Sequence, residues 1–299
     1  MSDPRPSEGA ASRPASSEAG VPGGVSSDAA TSDDAPSGVE VSAATPPLVR
    51  YEVRDRFAVL TLDSPRNRNA LSTRLVAELL RGLDDAAADP AVRGVVLAHT
   101  GNTFCAGADL TEASDADPAV AADQRTRTMI GVLRRLVDLP KPVVAQIEGN
   151  VRAGGMGIVA GCDLVVAGPS SSFALTEVRI GLAPFMISLT LLPRLDPRAA
   201  SRYYLTGEKF DAAVAQQIGL VTVTADDPAA EVARLCAELR KGAPQGLAEA
   251  KRLVNAAVLA EFDRSAEELA RRSASFFGTP EVREGMTAFL QRRPPHWAE

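Results

Sequence analysis

Three short stretches of this chain carry residue types that can do chemistry. T-G-N-T-F-C-A-G-A-D-L, residues 100–110, follows an unbroken apolar run. Gly101 and Gly107 let its backbone turn sharply and bring amides close to a ligand, and N–H groups fixed in such a loop stabilise an oxyanion. The plainer reading is a strand-to-helix connection whose glycines serve the turn alone. N-V-R-A-G-G-M-G-I-V-A-G, residues 150–161, places the amide of Gly154 or Gly155 at a helix N-terminus, where unpaired N–H groups and the dipole favour negative charge. Gly155 to Ala160 also matches G-x-G-x-x-A, with Glu177 about twenty residues on, as a dinucleotide site requires. The preceding strand pattern ends near Ile147, however, too early for that fingerprint, so small residues for close helix packing are the alternative. The third stretch is F-A-L-T-E-V-R-I-G-L-A-P-F, residues 173–185. Apolar neighbours around Glu177 would raise its pKa and suit it to acid–base work; an ion pair with Arg179 is the competing reading. His99 and His296 lie near no Ser or Cys nucleophile motif, which argues against a triad.

The elements that must position these stretches alternate. Residues 51–62 read as a strand pair, and Ser72 caps a helix with apolar residues at Leu75, Val76, Leu79, Leu80 and Leu83 that stops at Asp89-Pro90. Residues 92–100 read as a buried strand and 118–138 as a helix. Strand 142–147, helix 154–161, strand 163–168 and an extended segment 172–178 follow. From about Pro184 the pattern is helical: 186–194, 198–206, 211–218, 228–241, 244–271 and 281–292. Strands alternating with helices imply an α/β fold with parallel pairing and crossover helices. No internal repeat is visible.

Charge and composition remove several function classes. The 299 residues carry 32 basic and 38 acidic side chains, a net charge of −6. Residues 1–47 hold seven acidic and two basic groups, seven prolines and no aromatic residue, and read as a disordered acidic leader. The body, 48–297, is nearly neutral and lacks the basic field of a general nucleic-acid binder. No run is long and apolar enough to span a bilayer, and no secretory signal is present. Cys105, Cys162 and Cys236 lack metal-ligand spacing, which points to reduced thiols in a cytoplasmic protein and to no metal site.

Taken in order, the motifs resemble the crotonase superfamily of enoyl-CoA hydratases, enoyl-CoA isomerases and relatives. The resemblance rests on S-P-R-N-R-N-A-L (64–71), F-C-A-G-A-D-L (104–110), A-G-G-M-G (153–157), G-C-D (161–163) and F-A-L-T-E-V-R-I-G-L (173–182). It continues through Y-L-T-G-E-K-F-D-A to G-L-V (204–221) and ends in E-G-M-T-A-F-L-Q-R-R-P-P-H-W (284–297). It implies a spiral of ββα units over about 48–220 and a helical trimerisation region over about 221–297. It also implies an oxyanion hole made by the amides of Ala108 and Gly154, with Glu177 as acid/base. Arg66, Arg68 and Ala70 are expected along the CoA phosphates and pantetheine, and Ala106 in the adenine pocket beside Asp109. Phe289 and Arg292 are expected to reach CoA, in many members from a neighbouring subunit. Met129, Phe185, Met186 and Ile187 are candidates for the acyl pocket. The substrate partner is an acyl-CoA, with no cofactor beyond the CoA it carries, no nucleic acid and no membrane, in a homotrimer or hexamer.

One departure bears on the reaction. Hydratases with two carboxylates carry a first Glu three residues after the oxyanion-hole glycine, and here that position is Gly157. The resemblance therefore implies a one-glutamate enoyl-CoA hydratase. An enoyl-CoA isomerase and a catalytically weak acyl-CoA binding protein are the alternatives, and an NAD-type oxidoreductase the outsider. Glu112, beyond the first loop, reads as a helix-start carboxylate rather than as a substitute.

Overall fold

The hairpin that opens the fold follows from its turn. Strands β1 (Val49–Arg54) and β2 (Phe57–Leu62) pair antiparallel through Asp55 and Arg56, both at positive φ, which is the backbone twist a two-residue hairpin needs. The computed structural model describes residues 45–109, 111–112 and 118–298, side chains at 118 and 119 excepted. By contacts the chain divides into Met1–Ala44 and Thr45–Glu299. The expected leader thus falls outside the described residues except at 45–47. There Arg74 donates to the carbonyls of Thr45 and Pro46 (3.3 and 2.6 Å), while Glu78 accepts from the amides of Leu48 and Val49.

The order then repeats as two strands and a helix. After α1 (Thr73–Ala88) come β3 (Gly94–His99), β4 (Thr103–Cys105) and α2 (Pro118–Asp138). Next are β5 (Val143–Ile147), β6 (Asn150–Arg152) and α3 (Gly154–Gly161), and then β7 (Leu164–Ala167) and β8 (Ser172–Ala174). The first strand of each pair joins one sheet and the second joins another. With β9 (Phe210–Asp211) and β10 (Val223–Thr224), the sheet orders are β1-β2-β3-β5-β7-β10 and β4-β6-β8-β9. Beyond β1 the six-stranded sheet is parallel. This is a spiral of ββα units, each advancing one position in both sheets. It leaves no sequence repeat because the second strands are only three residues long.

Those short strands are the main difference from the sequence reading. β4, β6, β9 and β10 have no signature in the sequence because two or three residues carry no periodicity. The segment 172–178 is extended only to Ala174 and then closes into a 3₁₀ turn, Glu177–Ile180, ended by Gly181 at φ 75°. The remaining helices are α4 (Ser188–Leu191), α5 (Pro197–Thr206), α6 (Ala212–Gln217), α7 (Pro228–Lys241), α8 (Pro244–Phe276) and α9 (Pro280–Leu290).

Helix α8 is pinned to the core by a buried cation. Lys251 Nζ meets Asp163 Oδ2 at 2.7 Å and donates to the carbonyls of Leu136 and Lys141. Asn255, one turn on, holds the other Asp163 oxygen. A lysine taken from water costs several kcal/mol unless it is matched in this way.

Candidate active site

Three loops converge because one buried amide ties two of them. Asn69, without solvent exposure, accepts from the Ser64 amide and donates to the carbonyls of Thr100 and Thr103, which locks the 64–71 loop onto the 100–105 segment. Arg68 and Asn69 sit at positive φ, so the chain doubles back there and leaves the Arg66 and Arg68 side chains exposed. The Ala106 amide donates to the Arg68 carbonyl at 3.1 Å, and Leu71 pairs with Ala108 as an isolated parallel bridge. Ala70 lies buried between these contacts. Expected positions 66–70 and 106–109 are therefore brought together. Asp109 braces them, accepting from Asn67 Nδ2 at 2.6 Å and from the amide and hydroxyl of Thr111.

The bridge leaves one amide unused. The Leu71 N–H donates to the Gly107 carbonyl and the Asp109 N–H to the Leu71 carbonyl, while the Ala108 N–H between them has no acceptor among the described residues. Gly107, at φ 93°, lies so close to the start of α3 that a Cβ there would stand 2.9 Å from Ala153 Cβ and 3.7 Å from the Gly154 nitrogen. Gly154 is the first residue of α3, where no intrahelical acceptor exists for its N–H. Ala153, which aims it, holds φ 47° and ψ −119°, a conformation that costs an alanine on the order of 1–3 kcal/mol and recurs at working sites. The two free amides thus lie on closely packed neighbouring segments, and Met129 Cε reaches the Gly154 position as well.

Glu177 opens the 3₁₀ turn after β8, three residues past Ala174, whose carbonyl accepts from the Ala153 amide at 3.2 Å. The residue is half-buried, yet its Oε2 is shut off from solvent and accepts no hydrogen bond among the described residues. Burial pushes the carboxyl up to about 7, against a weaker opposing hydrogen bond from its own amide. The competing pair with Arg179 does not form, since the Arg179 side chain donates to the Thr206 carbonyl.

At position 157 of α3 the packing is apolar. A Cβ on Gly157 would lie 2.5 Å from Ile187 Cγ2, and Thr190 Oγ1 donates to the Gly157 carbonyl at 3.0 Å, clamping α4 onto α3. Position 157 therefore holds no side chain of any kind. Glu112 does not replace one, because it accepts from the amide and hydroxyl of Thr73. It is a helix-start carboxylate, but for α1 rather than for the helix that follows it. Phe185 is buried under Phe276 (ring centroids 4.9 Å apart) with the Arg272 guanidinium over its face. Phe289 and Arg292 are exposed, and no hydrogen bond or ion pair joins them to the 66–70 or 106–109 loops among the described residues.

The G-x-G-x-x-A match is packing. β6 does run directly into α3, but Gly155 lies on Cys105 and Gly157 on Ile187, which leaves no phosphate cradle. His99 is also structural: its Nε2 accepts from the Glu148 amide at 3.0 Å, and burial lowers its pKa. Sequence reading missed Ala153, the Gly157–Ile187 contact and a hydrogen bond between Ser188 and Tyr204. Only the departure at Gly157 signalled any of these.

Comparison with known proteins agrees with this geometry. Residues 52–299 match the family model described as enoyl-CoA hydratase/isomerase. The crystal structure of an enoyl-CoA hydratase from Mycobacterium avium is 55% identical, with a TM-score of 0.79, covering 85% of this chain and all of that one. Two relatives from Escherichia coli K12 are each 31% identical. One is a 2,3-dehydroadipyl-CoA hydratase, matched over 81% of this chain and 95% of its own length. The other is a 1,2-epoxyphenylacetyl-CoA isomerase, matched over 84% and 98%. With the same ββα spiral and a match over nearly the full length of these proteins, the chain belongs to the enoyl-CoA hydratase/isomerase family.

Proposed function

We propose that this protein hydrates a trans-2-enoyl-CoA thioester, with Glu177 as the only carboxylate acting on the reacting carbons. The observation that carries the reading is the enclosed, unpartnered Oε2 of Glu177, with the carboxyl poised at about 7. In the forward step the amides of Ala108 and Gly154 hold the thioester oxygen. Glu177 takes a proton from water, the water oxygen bonds to C3, and the C2=C3 electron pair moves onto the thioester as an enolate. The two amides stabilise that charge where it develops. Glu177 then returns the proton to C2, giving the 3-hydroxyacyl-CoA. The reading uses no metal and no cofactor beyond the CoA of the substrate.

Arg66 and Arg68, exposed beside Ala70 and Ala106, suit the CoA phosphates and adenine, and Phe185 and Ile187 suit the acyl chain. Phe289 and Arg292 would serve a CoA bound in a neighbouring subunit of a trimer or a hexamer of two trimers. Exposed Leu205, Leu253 and Val254 supply apolar surface for such an assembly. We assign the protein to cytoplasmic fatty-acyl metabolism on the same grounds. Among the described residues no helix is long and apolar enough to cross a membrane.

The Gly157–Ile187 contact favours a second reading, a Δ-isomerase in which Glu177 moves a proton between C4 and C2 with no water at all. The two separate in one cuvette. Hydration removes the conjugated thioester absorbance of a trans-2-enoyl-CoA, whereas isomerisation creates it from a 3-enoyl-CoA. Glu177→Gln is expected to lower either rate about 10²–10⁴-fold with CoA affinity nearly unchanged; full turnover in that variant would remove Glu177 from the mechanism.

A further inference from the structure

A water adding to C3 has two hydrogens, and Glu177 accepts one. With Ile187 packed against position 157 and no side chain there, the second hydrogen needs an acceptor from elsewhere. The residue after Ile187 leads to one. Ser188 Oγ donates to the Pro184 carbonyl at 2.6 Å, which commits the only hydrogen that hydroxyl has. In the 3.1 Å contact between Ser188 Oγ and the Tyr204 hydroxyl, the donor is therefore Tyr204. With its hydrogen fixed on Ser188, the phenol oxygen keeps its lone pairs free to accept.

The turn of α5 that carries Tyr204 lies against the segment that carries Glu177. Thr206, two residues on, accepts from the Arg179 side chain at 3.4 Å, and a Cβ on Gly207 would stand 3.0 Å from the Leu175 carbonyl. Burial holds the phenol protonated, against an opposing effect of the Ser188 contact, and the charge of Glu177, which reaches it, adds to burial. Ser188 and Tyr204 are both half-buried.

From this we infer that Tyr204, oriented by Ser188, is a positioning residue that accepts the second hydrogen of the attacking water and takes the part of the carboxylate position 157 lacks. The inference rests on the hydratase reading. Water held by two acceptors turns an oxygen lone pair toward C3. Glu177 removes one proton and the oxygen bonds to C3; the hydrogen shared with Tyr204 stays on the product hydroxyl, and Tyr204 neither gains nor loses a proton.

The test compares the wild type with Tyr204→Phe, Ser188→Ala and the double variant in two assays. Hydration of a trans-2-enoyl-CoA needs the water; exchange of the C2 hydrogen of a saturated acyl-CoA in D₂O needs only Glu177 and the two amides. In Tyr204→Phe, kcat for hydration is expected to fall about 10- to 100-fold with KM within about twofold, while C2 exchange stays at the wild-type rate. Ser188→Ala should fall in the same direction, and the double variant no further than Tyr204→Phe, because Ser188 acts through Tyr204. Hydration within about twofold of wild type in Tyr204→Phe would overturn the assignment. So would a parallel fall in C2 exchange, which would mean that Glu177 itself had been displaced. A wild type that exchanges C2 but never hydrates would sink the hydratase reading and this inference together, a result visible before any variant is made.

Discussion

In the proposed reaction Glu177 is a base and then an acid at one pH, and its surroundings set it at about 7. As the free base starts the cycle in either direction, the rate is expected to rise with pH through about 7, which a pH–rate profile of hydration and dehydration would show. The same burial acts on stability with a definite sign. A carboxyl at about 7 when folded, against 4.5 ordinarily, holds a proton the unfolded chain has lost between those values, so stability falls as pH rises through that window. The fall amounts to roughly 3 kcal/mol and is complete above the folded value. Urea titrations at pH 4.5 and 8 should show it in the wild type and not in Glu177→Gln. The residue stands out in sequence as a carboxylate set among Leu175, Val178 and Ile180, and the family resemblance gives it a role. The size of the effect depends on the enclosure of Oε2, which adjacent residues do not reveal.

Between elements, glycine contacts decide what the site contains. Gly157 marks the departure in sequence, but only the fold shows that α4 fills the position with Ile187. Gly157→Glu alone is expected to destabilise the protein by about 2–3 kcal/mol through overpacking, and Gly157→Glu with Ile187→Ala to recover part of that loss; thermal melting of the pair checks both. The approach of α9 to the Glu177–Ile180 turn is about as close. A Cβ on Gly285 would lie 2.5 Å from the Ile180 carbonyl oxygen, and one on Gly181 2.8 Å from the Glu281 carbonyl. Backbone cannot swing aside as a side-chain tip does, so Gly285→Ala should lower kcat by at least about tenfold by moving the turn that carries Glu177. The two glycines lie more than a hundred residues apart, so no local motif joins them.

At the scale of the molecule, a nearly neutral folded body follows a strongly acidic first 47 residues. Its surface carries large apolar side chains that a monomer of this size would ordinarily cover. Leu205 is 78% exposed, Leu253 74% and Val254 70%, the last two side by side on the 33-residue α8. If these faces build the proposed trimer, Leu253→Asp with Val254→Asp should convert it to monomers in analytical ultracentrifugation. Should Phe289 and Arg292 serve a neighbour's CoA, the same variant should also raise KM for the acyl-CoA. A wild type that sediments as a monomer would remove the assembly reading.

Sequence alone determined the family, the positions of the longer helices and the two glycine-bearing loops. The helices are written in contiguous stretches through periodicity and capping, the loops in the placement of their glycines, and the family in a run of short motifs taken in order. Only the tertiary structure decided that the free amides of Ala108 and Gly154 lie on neighbouring segments, because that depends on a bridge at Leu71 and a strained Ala153. It alone put Ile187 where a side chain at 157 would stand and joined Ser188 to Tyr204 across two helices. Such contacts are set by the packing of distant elements, and spacing along the chain carries no record of them.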